Sequence, residues 1–67
     1  MEQFEYKGRL VDIFTAVKDG RWAWAFSIDA GSAEADRTSG FESASTAIES
    51  AKEKAQHLID EQLRTSR

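Results

Sequence analysis

Histidine is the side chain best suited to proton transfer at neutral pH, and this chain has one, His57. It stands between Gln56 and Leu58, beside the apolar stripe of a predicted helix. It could serve as a general base or a pH switch, but catalysis needs a nucleophile or a second titrating group aligned with it. The motifs that supply such partners are missing, so we predict a half-exposed helix residue near Glu53 and Glu61 and no enzymatic activity.

The carboxylates of residues 29–36 are the second group that could do chemistry, because oxygen ligands bind hard cations. Asp29, Glu34 and Asp36 spread over eight residues, whereas a calcium site takes about six to eight oxygens from a tight loop. The chain has no cysteine and a single histidine, so it lacks the ligands for a zinc site as well. We therefore predict a solvated acidic loop and no bound metal or other cofactor.

Three aromatic residues, Trp22, Trp24 and Phe26, alternate along one stretch and would share one face of a strand. Sheet aromatics of this kind can stack the bases of single-stranded nucleic acid. The cations that could then meet phosphates are Lys7, Arg9, Lys18, Arg21 and Arg37. The alternative is that the three rings form the core of the domain. The net charge of −3 favours the core, because it provides no general attraction to phosphates.

The length of the chain, 67 residues, allows one domain with a small core. Chains below about 70–80 residues keep only a few kcal/mol of stability unless disulfides, metals or a partner stabilise them. Because there is no cysteine, we expect oligomerisation to supply that stabilisation. The N-terminus does not resemble a signal peptide, and the longest apolar run, residues 22–26, is far below the ~20 residues that span a bilayer. We expect a cytoplasmic protein without a membrane segment.

The elements that would position these side chains begin with a hairpin folded at Asp19-Gly20. A two-residue type I′ turn needs positive φ at both positions, which Asp-Gly adopts at low cost. The turn fixes the register of the two strands, so that Ile13 lies opposite Phe26. One face of the hairpin then carries Val11, Ile13, Thr15, Val17, Trp22, Trp24, Phe26 and Ile28.

A first strand and a weak third strand extend the hairpin. The isolated Gly8 predicts a β-bulge, which shifts the alternation by one residue and places Phe4 and Tyr6 on the same face as Val11. An acidic loop that pivots at Gly31 would connect the second strand to the third. The predicted strands cover about residues 3–17, 21–29 and 34–41.

A helix is predicted over about residues 44–64, capped at its N-terminus by Ser43. This stretch has no Gly or Pro, and its apolar residues recur at helical spacing. On its polar face Asp60 is placed to pair with Arg64. Its alanines would allow close approach to the tryptophan-bearing face of the sheet. The predicted core comprises Val11, Ile13, Val17, Trp22, Trp24, Phe26, Ile28, Ile48, Ala51, Ala55, Leu58 and Ile59.

These elements predict an α+β fold in β-β-β-α order, a three-stranded antiparallel β-sheet with one C-terminal helix packed on one face. The opposite face is then flat and modestly apolar. Such a patch is either a contact surface or a face that meets only water. Its predicted interface residues are Leu10, Phe14, Ala16, Ala23 and Ala25. A homodimer through this face or a strand edge, and binding of another protein, are both open at this point.

Five short motifs follow one another along the chain. They are Phe4-x-Tyr6-x-Gly8, Asp19-Gly20-Arg21-Trp22, Phe41-x-Ser43, Ala47-Ile48 and a final Ile59-Asp60. In this order the chain resembles small uncharacterised proteobacterial β-β-β-α proteins, over most of its length and in architecture. More distantly it is similar to the N-terminal half-domain of HicB-type antitoxins, a partial version of the double-stranded-RNA-binding fold. These resemblances imply the fold and a bacterial source, and they imply no activity.

The sequence therefore favours a small non-enzymatic protein that acts as a protein-interaction or self-associating module. The alternative is a nucleic-acid-binding or antitoxin-like regulator that uses the basic residues of the hairpin. Salt-dependent binding of RNA or DNA would separate the two, because phosphate contacts weaken steeply as salt is added.

Overall fold

A computed structural model describes residues 2–31, 33–35 and 40–65 of the chain. The strands are β1 (Glu2–Tyr6), β2 (Arg9–Lys18), β3 (Arg21–Ile28) and β4 (Ala33–Ala35), and the helix is α1 (Ala44–Thr65). The strands form one antiparallel sheet in the order β1-β2-β3-β4. The α+β class and the C-terminal helix are confirmed. The predicted number of three strands is wrong, because the structure contains four.

The fourth strand arises because the predicted first strand is two strands joined by a tight turn. Lys7 and Gly8 both have positive φ, 51° and 80°, as a two-residue type I′ turn requires. The predicted bulge at Gly8 is therefore wrong. The face assignment that it was used to make is nevertheless correct, because Phe4 lies directly opposite Val11 and residues directly opposite each other share a face.

The second hairpin folds as the sequence predicts. Asp19 and Gly20 have φ of 53° and 74°, again the type I′ combination. The register that this turn sets is confirmed, with Ile13 opposite Phe26 and Lys18 opposite Arg21. At Gly20 an added Cβ would meet nothing within 4 Å, so the preference for glycine comes from the backbone angle alone.

The third predicted strand, residues 34–41, is only partly present. A turn with positive φ at Asp29 and Ala30, 52° and 58°, leads into β4, which pairs with residues 25–27 of β3. Phe41 forms a separate bridge to Trp22. Residues 36–39 of the predicted strand lie outside the described residues.

The predicted pivot at Gly31 is also displaced. The positive φ values fall on the two preceding residues, and the Gly31 amide closes their turn by donating to Ile28 O at 2.9 Å. A Cβ at Gly31 would lie 3.1 Å from that same oxygen, so a side chain there would crowd the turn.

Helix α1 begins at the predicted cap, where the Thr46 amide donates to Ser43 Oγ at 3.2 Å. The helix packs on β2 and β3, across the face that carries Trp24 and Phe26. Its contact stripe is built mainly from alanines, which bring the helix axis close to the large side chains of the sheet. The buried core comprises Val11, Ile13, Trp24, Phe26, Ala47, Ala51, Ala55 and Ile59.

The hairpin end of this face is less buried than the sequence predicts. Val17 is 55% exposed, so its assignment to the core is wrong. It belongs to the correct face but lies one row beyond Trp24, where the buried cluster ends. The other predicted core residues that pack only partly buried against the cluster are Trp22, Ile28, Ile48 and Leu58.

Candidate functional site

The sheet has a second face, which α1 does not cover and which we call the open face. Strand alternation and the register place on it the side chains opposite in parity to the core. These are Gln3, Glu5, Leu10, Asp12, Phe14, Ala16, Lys18, Arg21, Ala23, Ala25, Ser27, Ala33 and Ala35. The structure therefore brings all five predicted interface residues onto one surface.

The centre of the open face is apolar and nearly flat. Phe14 lies opposite Ala25, which in turn lies opposite Ala35, and Ala16 lies opposite Ala23. These five side chains line a shallow depression of about 230 Å³. Sequence reasoning did not assign Ala35 to this surface, because the predicted third strand, residues 34–41, had no register against its neighbour.

Two large apolar side chains stand out from this surface. Phe14 is 45% exposed and Leu10 is 42% exposed. The Phe14 ring projects into solvent beside small alanine side chains, and another surface can pack around a ring placed in this way.

The two ends of the open face carry opposite charges. At the hairpin end, Lys18 and Arg21 lie directly opposite each other, and the Arg21 guanidinium also donates to Gly40 O at 3.2 Å. At the other end are Glu5 and Asp12, and Asp12 accepts a hydrogen bond from Gln3 Nε2 at 2.6 Å. The apolar centre thus lies between a basic end and an acidic end.

Two of the three rings of the predicted stacking platform lie under the helix. Trp24 is only 8% exposed, Phe26 is fully buried, and their rings stack on each other with centroids 5.4 Å apart. Two of the nearby cations also have carboxylate partners, Lys7 with Asp60 at 2.7 Å and Arg9 with a further aspartate at 3.5 Å. The predicted cation Arg37 lies outside the described residues.

The residues with catalytic or metal-binding chemistry are not brought together. The partner that the structure gives His57 is Glu61, one helical turn away at 4.0 Å. Asp29 accepts the Leu10 amide at 3.0 Å and pairs with Arg9, while Glu34 lies on the helix-covered side opposite Phe26. Over residues 2–31, 33–35 and 40–65, no group of three or more His, Asp or Glu side chains is placed to hold a metal ion.

A polar cluster that sequence reasoning missed ties the first turn of the sheet to the end of α1. Tyr6 donates its hydroxyl hydrogen to the Asp60 carboxylate at 3.1 Å, and Lys7 Nζ donates to the same carboxylate at 2.7 Å. The predicted pair of Asp60 with Arg64 does not form, because Arg64 pairs with Glu61 at 3.2 Å. The hydrogen bond between Lys7 and Asp60 lowers the pKa of Asp60 and raises the pKa of Lys7.

Replacing Asp60 with asparagine is expected to lower the free energy of unfolding at pH 7, with a difference from wild type that shrinks as the pH falls. Because the pKa of Asp60 is lowered on folding, its stabilisation is full above the unfolded value of about 3.9 and is lost as pH falls through the folded value. Urea titrations between pH 7 and pH 3 measure this difference. A difference that stays constant over that range would show that the carboxylate charge does not matter.

The fold and its surface define a class of protein, an α+β domain with a four-stranded antiparallel sheet covered on one face by a C-terminal helix. The chain matches no family model, no curated protein and no solved structure at a significant level. The resemblances to small proteobacterial proteins and to HicB-type antitoxins therefore stay predictions. In the part of the chain that the structure describes, no helix has both the length and the apolar character needed to cross a bilayer.

Proposed function

We propose that this chain is a small non-enzymatic protein-interaction module whose contact surface is the open face of the sheet. The observation that carries the proposal is the apolar centre of that face, where the exposed Phe14 lies beside four alanines, with the exposed Leu10 nearer the acidic end. A contiguous apolar patch of this kind on an otherwise polar surface is a feature of contact surfaces.

The alternative as a nucleic-acid-binding regulator has less support. Stacking of bases would need an accessible aromatic face, and Trp24 and Phe26 are instead under the helix. The cations that could contact phosphates are then Lys18 and Arg21, at the basic end of the hairpin. The chain as a whole has a net charge of −3. Two cations provide little counterion release.

A site-specific cross-link tests the open face without presupposing its partner. A photo-reactive phenylalanine analogue at position 14 is expected to give covalent adducts when cells producing the full chain are irradiated. The matched control places the same analogue at Leu63, which is 42% exposed on α1 against 45% for Phe14. The control is expected to give none, because exposure alone does not create a contact.

Two results would contradict the proposal. Equal adduct yields from positions 14 and 63 would mean that the open face is no more a contact surface than α1. The lack of adducts from both positions would mean that the open face meets only water, as antiparallel sheets of this kind can do.

A further inference from the structure

We infer that the partner of the open face is a second copy of this chain, related by a two-fold axis that makes the strands of the two sheets antiparallel. The inference rests on the proposed function, since it names the occupant of the same surface. It is carried by two properties of the open face, namely its charges and its shape.

The charge distribution is complementary to itself when the second copy is reversed. A two-fold axis that crosses β2 between Phe14 and Ala16 places residue 18 of each copy over residue 12 of the other. Each Lys18 then meets a partner Asp12, so the basic end of one copy covers the acidic end of the other. The opposite arrangement, basic end on basic end, would place like charges together.

The basic end has a specific reason to take a carboxylate. Lys18 and Arg21 are direct cross-strand neighbours, and like charges in that position repel. Among the residues that the structure describes, Lys18 has no ion pair within its own copy. A partner Asp12 would relieve that repulsion, and Asp12 is an acceptor on the open face that accepts a hydrogen bond from Gln3.

The shape of the open face is also complementary to itself. The same axis places Phe14 of each copy over Ala16 of the other, and Ala23 over Ala25. Large side chains over small ones let two sheets approach to the usual separation of about 10 Å. Two phenylalanine rings, each against the partner's alanines, would form the centre of the interface.

The area that the two copies share is small. Under this axis the described strands β1 and β4 meet no strand of the second copy, so the overlap is limited to residues 12–18 of β2 and 21–27 of β3. This overlap measures about 23 Å by 10 Å on each copy, which is below the area of stable specific interfaces. The dimer is therefore expected to be weak and to form only at high protein concentration.

Charge reversal at the two ends tests the arrangement. Lys18→Glu and Asp12→Lys are each expected to raise the dimer dissociation constant about tenfold in low salt, because each creates two repulsive pairs by symmetry. The double variant D12K/K18E is expected to return to within about threefold of wild type, because both pairs are then attractive with reversed polarity. Sedimentation equilibrium measures all four proteins.

The recovery in the double variant can come only from a second copy. Residues 12 and 18 are six positions apart in one strand, about 20 Å, so their side chains cannot pair within one copy. The matched controls are Glu49→Lys and Lys54→Glu on α1, both exposed and far from the open face. They are expected to leave the dissociation constant within about twofold of wild type.

Two outcomes would overturn the inferred dimer and leave the proposed function as a protein-interaction module unaffected. A double variant as weak as the single variants would rule out the antiparallel two-fold arrangement. A wild-type chain that stays monomeric at millimolar concentration, but is cross-linked at position 14 to a different protein, would rule out the second copy as partner. The failure of the cross-link itself would instead remove the function on which the inference rests.

Discussion

Replacing Trp24 with alanine is expected to remove most of the stability of the domain. Trp24 is 8% exposed and stacks on the fully buried Phe26, under the alanines of α1. Truncating a buried aromatic ring to alanine costs about 3–5 kcal/mol through lost burial and the cavity left behind. Because a domain of this size has only a few kcal/mol in total, the variant should be largely unfolded at 37 °C.

Trp24→Phe is the matched variant, and it is expected to stay folded. The indole Nε1 is buried without a hydrogen-bond partner in the part of the chain that the structure describes, so the change to phenylalanine breaks no hydrogen bond there. A ring still fills the space beneath the helix. Trp22→Ala is expected to cost less than Trp24→Ala, because Trp22 is only partly buried.

Urea denaturation followed by far-ultraviolet circular dichroism measures all three variants. Circular dichroism is preferable to tryptophan fluorescence, because each of the three variants removes one of the two tryptophans. A Trp24→Ala variant within about 1 kcal/mol of wild type would mean that the helix does not pack on this face, since cavity formation there could not be avoided.

The sequence predicted the parts of the fold that are controlled by local rules. The Asp19-Gly20 turn determined the register of β2 and β3, because only a few backbone conformations can close a two-residue loop. The alternation along those strands then separated the two faces. The alanines of α1 indicated which face the helix would cover, because small residues allow the closest approach to large rings.

Other parts could not be obtained this way, because their determinants are not local. Lys7 adopts positive φ without being Asn, Asp or Gly, so its turn has a weak signal, and Gly8 alone suggested a bulge. The predicted third strand overlaps β4 at two residues, but its pairing with residues 25–27 was not predicted, because Ala-Glu-Ala carries no pattern that sets a register.

The contacts of the candidate surface and of Asp60 also divide into those that local rules predict and those that they do not. Its five predicted residues were identified by parity alone, and Ala35 was not assigned to it because the predicted third strand had no register against β3. Asp60 was assigned a partner four residues along its helix, but it bonds to Lys7 and Tyr6, more than 50 positions away in sequence. Helical spacing describes neighbours on one helix and contains no information about which strand end the helix will reach.

Phe14→Glu is expected to abolish self-association without unfolding the domain. At the centre of a two-fold interface each dimer loses two rings and acquires two carboxylates facing the partner's alanines. At about 2 kcal/mol for each central contact, the dissociation constant should rise roughly 1,000-fold. The monomer should lose little stability, because Phe14 is 45% exposed and its replacement creates no cavity in the core.

Leu63→Glu is the control that distinguishes a specific interface from nonspecific hydrophobic association. Leu63 is as exposed as Leu10 but lies on the last turns of α1, so a glutamate there should leave both the dissociation constant and the free energy of unfolding close to wild type. Sedimentation equilibrium from micromolar to millimolar concentration, with circular dichroism as the check on folding, measures both variants. If both glutamates weakened association equally, the attraction would come from exposed apolar area in general, and the arrangement of Phe14 over a partner's alanines would not be needed to explain it.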